Sequence, residues 1–293
     1  MRPLGIFICF LAICLLVSAL LHYPLHLLLE GLIEMPAHKQ VTRFGKLLML
    51  PGFFLLIRWL DLYSREALGF GEPRPLFLRQ MVIGWFFGIL ILTILTGTLT
   101  SLGIRVLKPF ESPFFGDVIK TLSGGLLAGL LVGIVEESFF RGALFQAIRR
   151  RGPAISAIIF SSLLYASVHF IKPLPLEGPV GWFSGLQILS GAFWQFGEWA
   201  TFDSFLALFM AGVFLALVRE RTGSIACCIG LHAGWVLVIK CTKDFTYTNP
   251  ASKWAFLTGD YDSVTGYLAA GLLGVLALGY WIKGTRLKAK GRI

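Results

Sequence analysis

Long apolar stretches recur along nearly the whole chain, and this feature constrains the fold more than any other. A helix that crosses a lipid bilayer needs about 20 mostly apolar residues. Eight stretches come close to that length, which predicts an all-α protein, a polytopic transmembrane helical bundle of about eight spans. The predicted spans, with boundaries good to about two to four residues, are Leu4–Leu29, Phe44–Leu62, Leu78–Leu102, Val118–Ile148, Ala154–Ile171, Ser204–Val218, Ser224–Ile239 and Val264–Ile282.

The low content of charged residues excludes a soluble protein. Hydrophobic residues make up 56% of the chain and charged residues 14%, whereas a typical soluble domain carries about 25% charged residues. So few charges cannot cover the surface of a soluble fold. Because the sequence has no internal repeat and no polar segment long enough for a soluble domain, residues 1–293 are predicted to form a single integral-membrane domain embedded in a lipid bilayer.

The basic residues predict how the chain is oriented. The net charge is +10, but no basic helix or aromatic-basic stripe is present, so nucleic acid is excluded as a partner. Lys and Arg collect at one side of the predicted spans, as in cytoplasmic loops. This predicts a multi-pass integral membrane protein with both termini cytoplasmic, in the cell (inner) membrane if the organism is bacterial. The clusters are Arg149, Arg150 and Arg151, then Arg219 and Arg221, then Lys283, Arg286, Lys288, Lys290 and Arg292.

Two segments allow more than one interpretation. Val17-Ser18-Ala19 resembles a signal-peptide cleavage site, but the apolar run continues to Leu29, which favours an uncleaved anchor. The loop Pro173–Ala200 is rich in Trp and Phe. An aromatic belt at the membrane surface is the favoured interpretation of this loop, and a re-entrant gate beside a functional site is the alternative.

The fourth predicted span contains charges in its apolar interior, which is costly and usually functional. Glu137 and Arg141 are four residues apart and therefore share a helix face on which they can pair. Glu136 points about 100° away. A carboxylate in a low-dielectric site has a raised pKa and can act as a general base on water. The alternative is a structural polar network that joins two helices.

Two histidines lie in later spans. His169 follows Tyr165 by one turn, and His232 lies among the small residues Gly230, Ala233 and Gly234, which let a neighbouring helix approach closely. Either histidine alone is more typical of a hydrogen bond between helices than of catalysis. Helix rise permits both to share one membrane level with Glu136.

The ordered set of these residues resembles a known family. Glu136-Glu137-Ser-Phe-Phe-Arg141 has the form EExxxR, Tyr165–His169 resembles FxxxH, and His232 begins a segment similar to HxxxN. In this order on successive spans, they resemble the CAAX-protease and bacteriocin-processing (Rce1-like, or ABI) family of intramembrane proteases. The resemblance covers roughly Pro75–Ile239, and the first motif is its most specific part.

The resemblance implies a role for each matched residue. Glu136 would activate the attacking water, His169 would hold that water or shuttle its proton, and His232 would stabilise the oxyanion. Glu137 and Arg141 would orient Glu136. The family is described both as glutamate-type and as metal-dependent, so Glu136, His169 and His232 are also candidate ligands of Zn²⁺, although no HExxH motif favours zinc.

Two positions depart from the family pattern. Tyr165 replaces Phe, which is a mild change. Val236 stands where the family has Asn, four residues after His232. Valine cannot donate a hydrogen bond, and loss of one oxyanion donor typically lowers the rate by about 10²–10³. Trp235 and Lys240 are the candidates for a replacement donor.

These observations favour an intramembrane endopeptidase that acts on a membrane-associated protein or peptide. One alternative is a non-catalytic membrane scaffold or immunity protein of the same fold, which Val236 favours. The other is a proton-coupled transporter, since intramembrane Glu and His also mark ion paths. The absence of inverted repeats in the sequence argues against the transporter.

Overall fold

The computed structural model describes residues 2–32, 35–109 and 114–289, and most of these are helical. Lys290 and Arg292 of the predicted basic tail lie outside the described residues. The helices are α1 Arg2–Leu20, α2 His22–Leu29, α3 Ala37–Trp59, α4 Arg65–Leu68, α5 Arg74–Ser101, α6 Phe114–Glu137, α7 Phe145–Arg149, α8 Ala154–Val168, α9 Ser184–Gly191, α10 Phe202–Thr222, α11 Ala226–Phe245 and α12 Tyr267–Ala289. A π-helix, Ser138–Leu144, joins α6 to α7, and the short strands β1 Arg105–Leu107 and β2 Thr246–Thr248 pair antiparallel. Short 3₁₀ turns occur at Trp194–Gly197, Trp199–Thr201 and Ala255–Leu257.

The predicted all-α membrane bundle is confirmed. Within the described residues, seven helical segments are long and apolar enough to cross a membrane. The first predicted span differs, because α1 ends at Leu20 and the shorter α2 follows with Pro24 in its first turn. The fifth predicted span is also shorter than expected. It is the 15-residue helix α8, which ends before Pro173 and Pro175.

The chain separates into two compact units. The first comprises Met1–Tyr63 and Ser167–Trp199, and the second comprises Ser64–Ala166 and Ala200–Ile293. These units do not test whether residues 1–293 fold together, so the single integral-membrane domain stays a prediction.

The first unit is built from α1, α2, α3 and α9. Ala19, Val41 and Ile188 form its buried apolar cluster. Ser18 on α1 donates a hydrogen bond of 2.5 Å from its Oγ to the carbonyl oxygen of Val41 on α3. This bond satisfies a buried hydroxyl and ties the two helices together.

In the second unit, glycines let α11 pack directly against the backbones of α5 and α6. A Cβ at Gly129 of α6 would lie 2.6 Å from the carbonyl oxygen of Ala233 in α11. A Cβ at Gly234 of α11 would lie 2.6 Å from the carbonyl oxygen of Trp85 in α5. Only glycine permits such close approach. These contacts hold α11 in one register between its neighbours, and α11 carries His232.

A buried arginine secures the end of α11. Arg105 of β1 donates from Nε to Thr246 Oγ1 at 2.7 Å and from Nη2 to the carbonyl oxygen of Thr242 at 3.0 Å. Burial lowers the pKa of Arg105, and the charge of Asp262 opposes that effect. The strand pair and the C-terminal end of α11 are therefore fixed to each other.

Candidate active site

The candidate active site begins where α6 changes into a π-helix. Glu136 and Glu137 end α6, and Arg141 lies in the π-helical segment. π-helical turns are rare and frequently occur at functional sites. Gly142 lets the segment pack closely, because a Cβ there would lie 3.0 Å from the carbonyl oxygen of Leu68.

Glu137 and Arg141 form the ion pair that their spacing predicts. Arg141 Nη1 lies 3.2 Å from Glu137 Oε1, and both side chains are 0% exposed. Arg141 also donates from Nη2 to the carbonyl oxygen of Gly212 in α10 at 3.3 Å. Its guanidinium carbon lies 4.3 Å from the ring centroid of Tyr165, a cation–π contact. A fully buried charge is tolerated because each of these groups compensates for lost water.

His232 lies between the two glutamates. Its Nδ1 is 2.8 Å from Glu137 Oε1, and its Nε2 is 3.8 Å from Glu136 Oε2. An ionised Glu137 can only accept a hydrogen bond, which requires the hydrogen on Nδ1 and makes His232 the donor. Glu137 therefore binds both Arg141 and His232. This second role of Glu137 has no signal in the sequence, since the two residues are 95 positions apart.

The two glutamates differ in their access to open space. The Glu136 side chain is 29% exposed, whereas that of Glu137 is 0% exposed. Glu136 is therefore the more accessible of the two glutamates, although its Oε2 atom is buried, and Glu137 contacts the groups packed around it. The rings of Tyr165 and His232 are nearly perpendicular, and their centroids lie 6.2 Å apart.

The structure brings five of the six predicted site residues together in the second unit. They are Glu136, Glu137, Arg141, Tyr165 and His232. The sixth residue, His169, directly follows the end of α8 and belongs to the first unit. Its participation in the site stays a prediction.

A further arginine supports the site, and it was predicted only as a basic charge at the end of a span. Arg219 of α10 is 5% exposed. It donates from Nε to the carbonyl oxygen of Arg141 at 3.1 Å and from Nη2 to that of Ala67 at 3.2 Å. These bonds satisfy backbone oxygens around the π-helix, where the regular helical bonds are interrupted. Hydropathy does not distinguish such a buried arginine from one in a loop.

Lys240 and Trp235 are the two candidates to replace the missing asparagine donor, and they have different surroundings. Lys240 pairs with Asp244, its Nζ lying 3.0 Å from Oδ2. It lies two turns beyond His232 on α11 and is directed toward the end of that helix. Trp235 is buried and packs near Phe214 at a ring-centroid distance of 6.4 Å. The ion pair engages Lys240, whereas the buried Nε1 of Trp235 has no hydrogen-bond partner among the described residues, so Trp235 stays a candidate donor.

The positions of the donor atoms around Glu136 decide whether a zinc ion fits there. Glu136 and His232 Nε2 converge, but His232 Nδ1 and Glu137 face each other. A structural or catalytic zinc needs at least three protein ligands. Across residues 2–32, 35–109 and 114–289, no group of three His, Cys, Asp or Glu side chains is arranged to hold a metal ion. The described side chains therefore do not complete a zinc site, and Zn²⁺ binding by Glu136, His169 and His232 stays an untested hypothesis.

A comparison with known families supports the resemblance drawn from the motifs. Residues 119–238 match the family model described as Rce1-like, type II CAAX prenyl endopeptidase. The predicted similarity to the Rce1-like family is thereby confirmed. Because that family consists of proteases, the match supports a membrane peptidase. No curated protein and no solved structure gives a significant match. The matched region includes Glu136 and His232 and ends before the loop that leads to α12.

Proposed function

We propose that this chain is an intramembrane endopeptidase that hydrolyses a peptide bond in a membrane-associated protein or peptide. The observation that carries the proposal is the convergence of Glu136 and His232 inside a region similar to a membrane protease family. The multi-pass fold supports it, since a substrate already in the bilayer can reach such a site. The basic clusters support a cytoplasmic location of both termini.

Glu136 is the proposed general base. Its Oε2 and His232 Nε2 are 3.8 Å apart, a gap that one hydrogen-bonded water can bridge. Glu136 takes a proton from this water while the water oxygen attacks the carbonyl carbon of the substrate. The electron pair of the C=O bond moves to the carbonyl oxygen and forms the oxyanion. When the intermediate collapses, the C–N bond breaks and the leaving amine takes the proton from Glu136.

His232 is the proposed oxyanion donor. Glu137 accepts a hydrogen bond from the Nδ1–H group of His232. The Nε2 atom therefore carries a hydrogen to donate only when the ring is an imidazolium. That state balances the site, because Glu136 and Glu137 then face two cations, Arg141 and His232. Balanced charge is favourable where water is excluded. Glu137 and Arg141 are proposed to hold His232 in this orientation.

His169 is proposed to hold the attacking water or to shuttle its proton. This role rests on its spacing from Tyr165 and on the similarity to the family. Replacement of His169 by Asn is expected to lower cleavage strongly while leaving the amount of membrane-inserted protein unchanged.

The experiment that tests the function compares protein termini in whole cells. The strains carry the unaltered protein, Glu136→Gln, a deletion, and Glu220→Gln as a matched control. Glu220 pairs with Arg149 at a partly exposed position away from the site. The proposal expects one membrane protein to stay uncut in the Glu136→Gln and deletion strains and to be cut in the Glu220→Gln strain.

The scaffold hypothesis predicts a different outcome of that comparison. Termini that match in all strains, together with a deletion phenotype that Glu136→Gln lacks, would overturn the peptidase proposal. Val236 is the observation that favours this second candidate, since it removes a donor expected in a catalytic relative.

A further inference from the structure

Tyr261 lies in the loop that precedes α12, beyond the region that matches the family. It is a half-buried tyrosine in an otherwise polar segment, Thr258–Gly266. This segment is called the Tyr261 loop below. Several hydrogen bonds and one close packing contact fix where it lies relative to α10.

The Tyr261 loop is held by its own hydrogen bonds. Asp262 Oδ1 accepts from the backbone N–H groups of Val264 at 2.9 Å and Thr265 at 2.7 Å. The N–H of Gly259 donates to the carbonyl oxygen of Thr265 at 2.8 Å, which closes the loop. These bonds hold the backbone of the loop in one conformation.

The loop is also fixed to the start of α10. Ser204 Oγ lies 3.3 Å from the carbonyl oxygen of Thr265, to which it can donate. Gly259 packs so tightly against Asp203 and Ser204 that a Cβ there would clash with both side chains. The position of Tyr261 therefore follows the N-terminal end of α10.

Helix α10 runs parallel to the segment that carries the glutamates. Arg141 is bonded to Gly212, and eight residues later on each segment Arg149 is bonded to Glu220. The two contacts are equally spaced along α10 and along the segment Arg141–Arg149. The two segments therefore run in the same direction and in nearly the same register.

Counting back along both segments places the Tyr261 loop close to the level of Glu136. From Arg141, Glu136 lies about 7.5 Å back at about 1.5 Å per residue. From Gly212, Ser204 lies about 12 Å back by the same rise. The two levels differ by about 4.5 Å, which is less than the length of a tyrosine side chain. The electrostatics agree, since burial, then Asp262, then Glu136 raise the pKa of Tyr261.

We propose that the Tyr261 hydroxyl donates a hydrogen bond to the oxyanion, in the place of the asparagine that Val236 replaces. The proposal rests on the proposed function. It combines three observations: the fixed loop, the common level with Glu136, and a position on α11 where the side chain has no donor. A phenol beside carboxylates keeps its proton and can therefore donate it in a hydrogen bond.

The test is a double-mutant cycle of Tyr261→Phe and Val236→Asn. The rate is that of precursor decay in a pulse-chase, measured on the membrane protein whose cut terminus disappears in the Glu136→Gln strain. Tyr261→Phe is expected to slow cleavage about 10²-fold, as loss of one oxyanion donor does. The double variant Tyr261→Phe with Val236→Asn is expected to cleave at least tenfold faster than Tyr261→Phe alone, because the asparagine supplies a donor again.

Controls separate this role from a structural one. Tyr247→Phe removes a hydroxyl from an exposed tyrosine of β2 and should leave the rate unchanged. Immunoblots of the membrane fraction and the thermal unfolding midpoint report whether Tyr261→Phe folds. If that variant folds poorly, Val236→Asn alone still tests the proposal. If Tyr261 already supplies the donor, a second donor at position 236 should change the rate by less than threefold.

The following results would refute the proposal. A rate for Tyr261→Phe within twofold of the unaltered protein shows that the hydroxyl does not act. An equal loss with and without Val236→Asn shows that Tyr261 acts by another route. Cleavage that depends on Glu136 but not on Tyr261 overturns this inference alone. If no terminus depends on Glu136, the proposed function fails, and this inference fails with it.

Discussion

Glu137→Gln tests the idea that one buried carboxylate serves both stability and catalysis. Glutamine keeps the shape of the side chain but removes its charge, and Arg141 then stays fully buried without its ion-pair partner. Removing one partner of a buried ion pair typically costs about 3–5 kcal/mol. For a chain of this size, 1 kcal/mol corresponds to roughly 2–4 °C in the unfolding midpoint. We therefore expect the midpoint to fall by about 10 °C.

The double variant Glu137→Gln with Arg141→Met separates stability from activity. It removes both charges, so that no unpaired charge is left buried at this position. The midpoint is therefore expected to return most of the way to that of the unaltered protein. Cleavage is expected to stay low, because His232 has lost the carboxylate that accepts its Nδ1 proton.

The assay is thermal unfolding of the full chain in detergent, combined with the pulse-chase rate. Glu220→Gln is the matched control, because it breaks a partly exposed pair worth at most about 1 kcal/mol. A midpoint for Glu137→Gln within 2 °C of the unaltered protein would refute the argument from buried charge. So would a double variant that is less stable than the single one. Restored cleavage in the double variant would refute the role of Glu137 toward His232.

Two further predictions concern packing and metal. Gly129→Ala is expected to destabilise the protein by about 1–3 kcal/mol, because the new Cβ meets the α11 backbone. Gly97→Ala on α5 is the control, since a Cβ there meets no atom within 4 Å. Equal unfolding midpoints for the two variants would contradict the packing argument. Cleavage is expected to persist after treatment with a zinc chelator, because the described donors supply two converging ligands and a zinc site needs at least three. A loss of activity that added Zn²⁺ restores would support the zinc hypothesis instead.

The helices and the first motif illustrate what could be predicted from the sequence. Apolar runs mark most membrane-spanning helices because the cost of burying polar groups in lipid depends on local composition. The pairing of Glu137 with Arg141 follows from helix geometry over four residues. The break between α1 and α2 and the short α8 were missed, because helix ends depend on backbone conformation as well as on hydropathy.

The arrangement of the site depends on contacts between residues far apart in the chain. The sequence determined that this is an apolar helical protein with a Glu-Glu-Arg motif and later histidines. Only the tertiary structure decided that Glu137 accepts from His232, that Arg219 is buried against the π-helix, and that the Tyr261 loop packs on α10. Hydropathy and helical spacing act over a few residues, whereas these contacts require glycine-mediated packing that brings whole helices into one register.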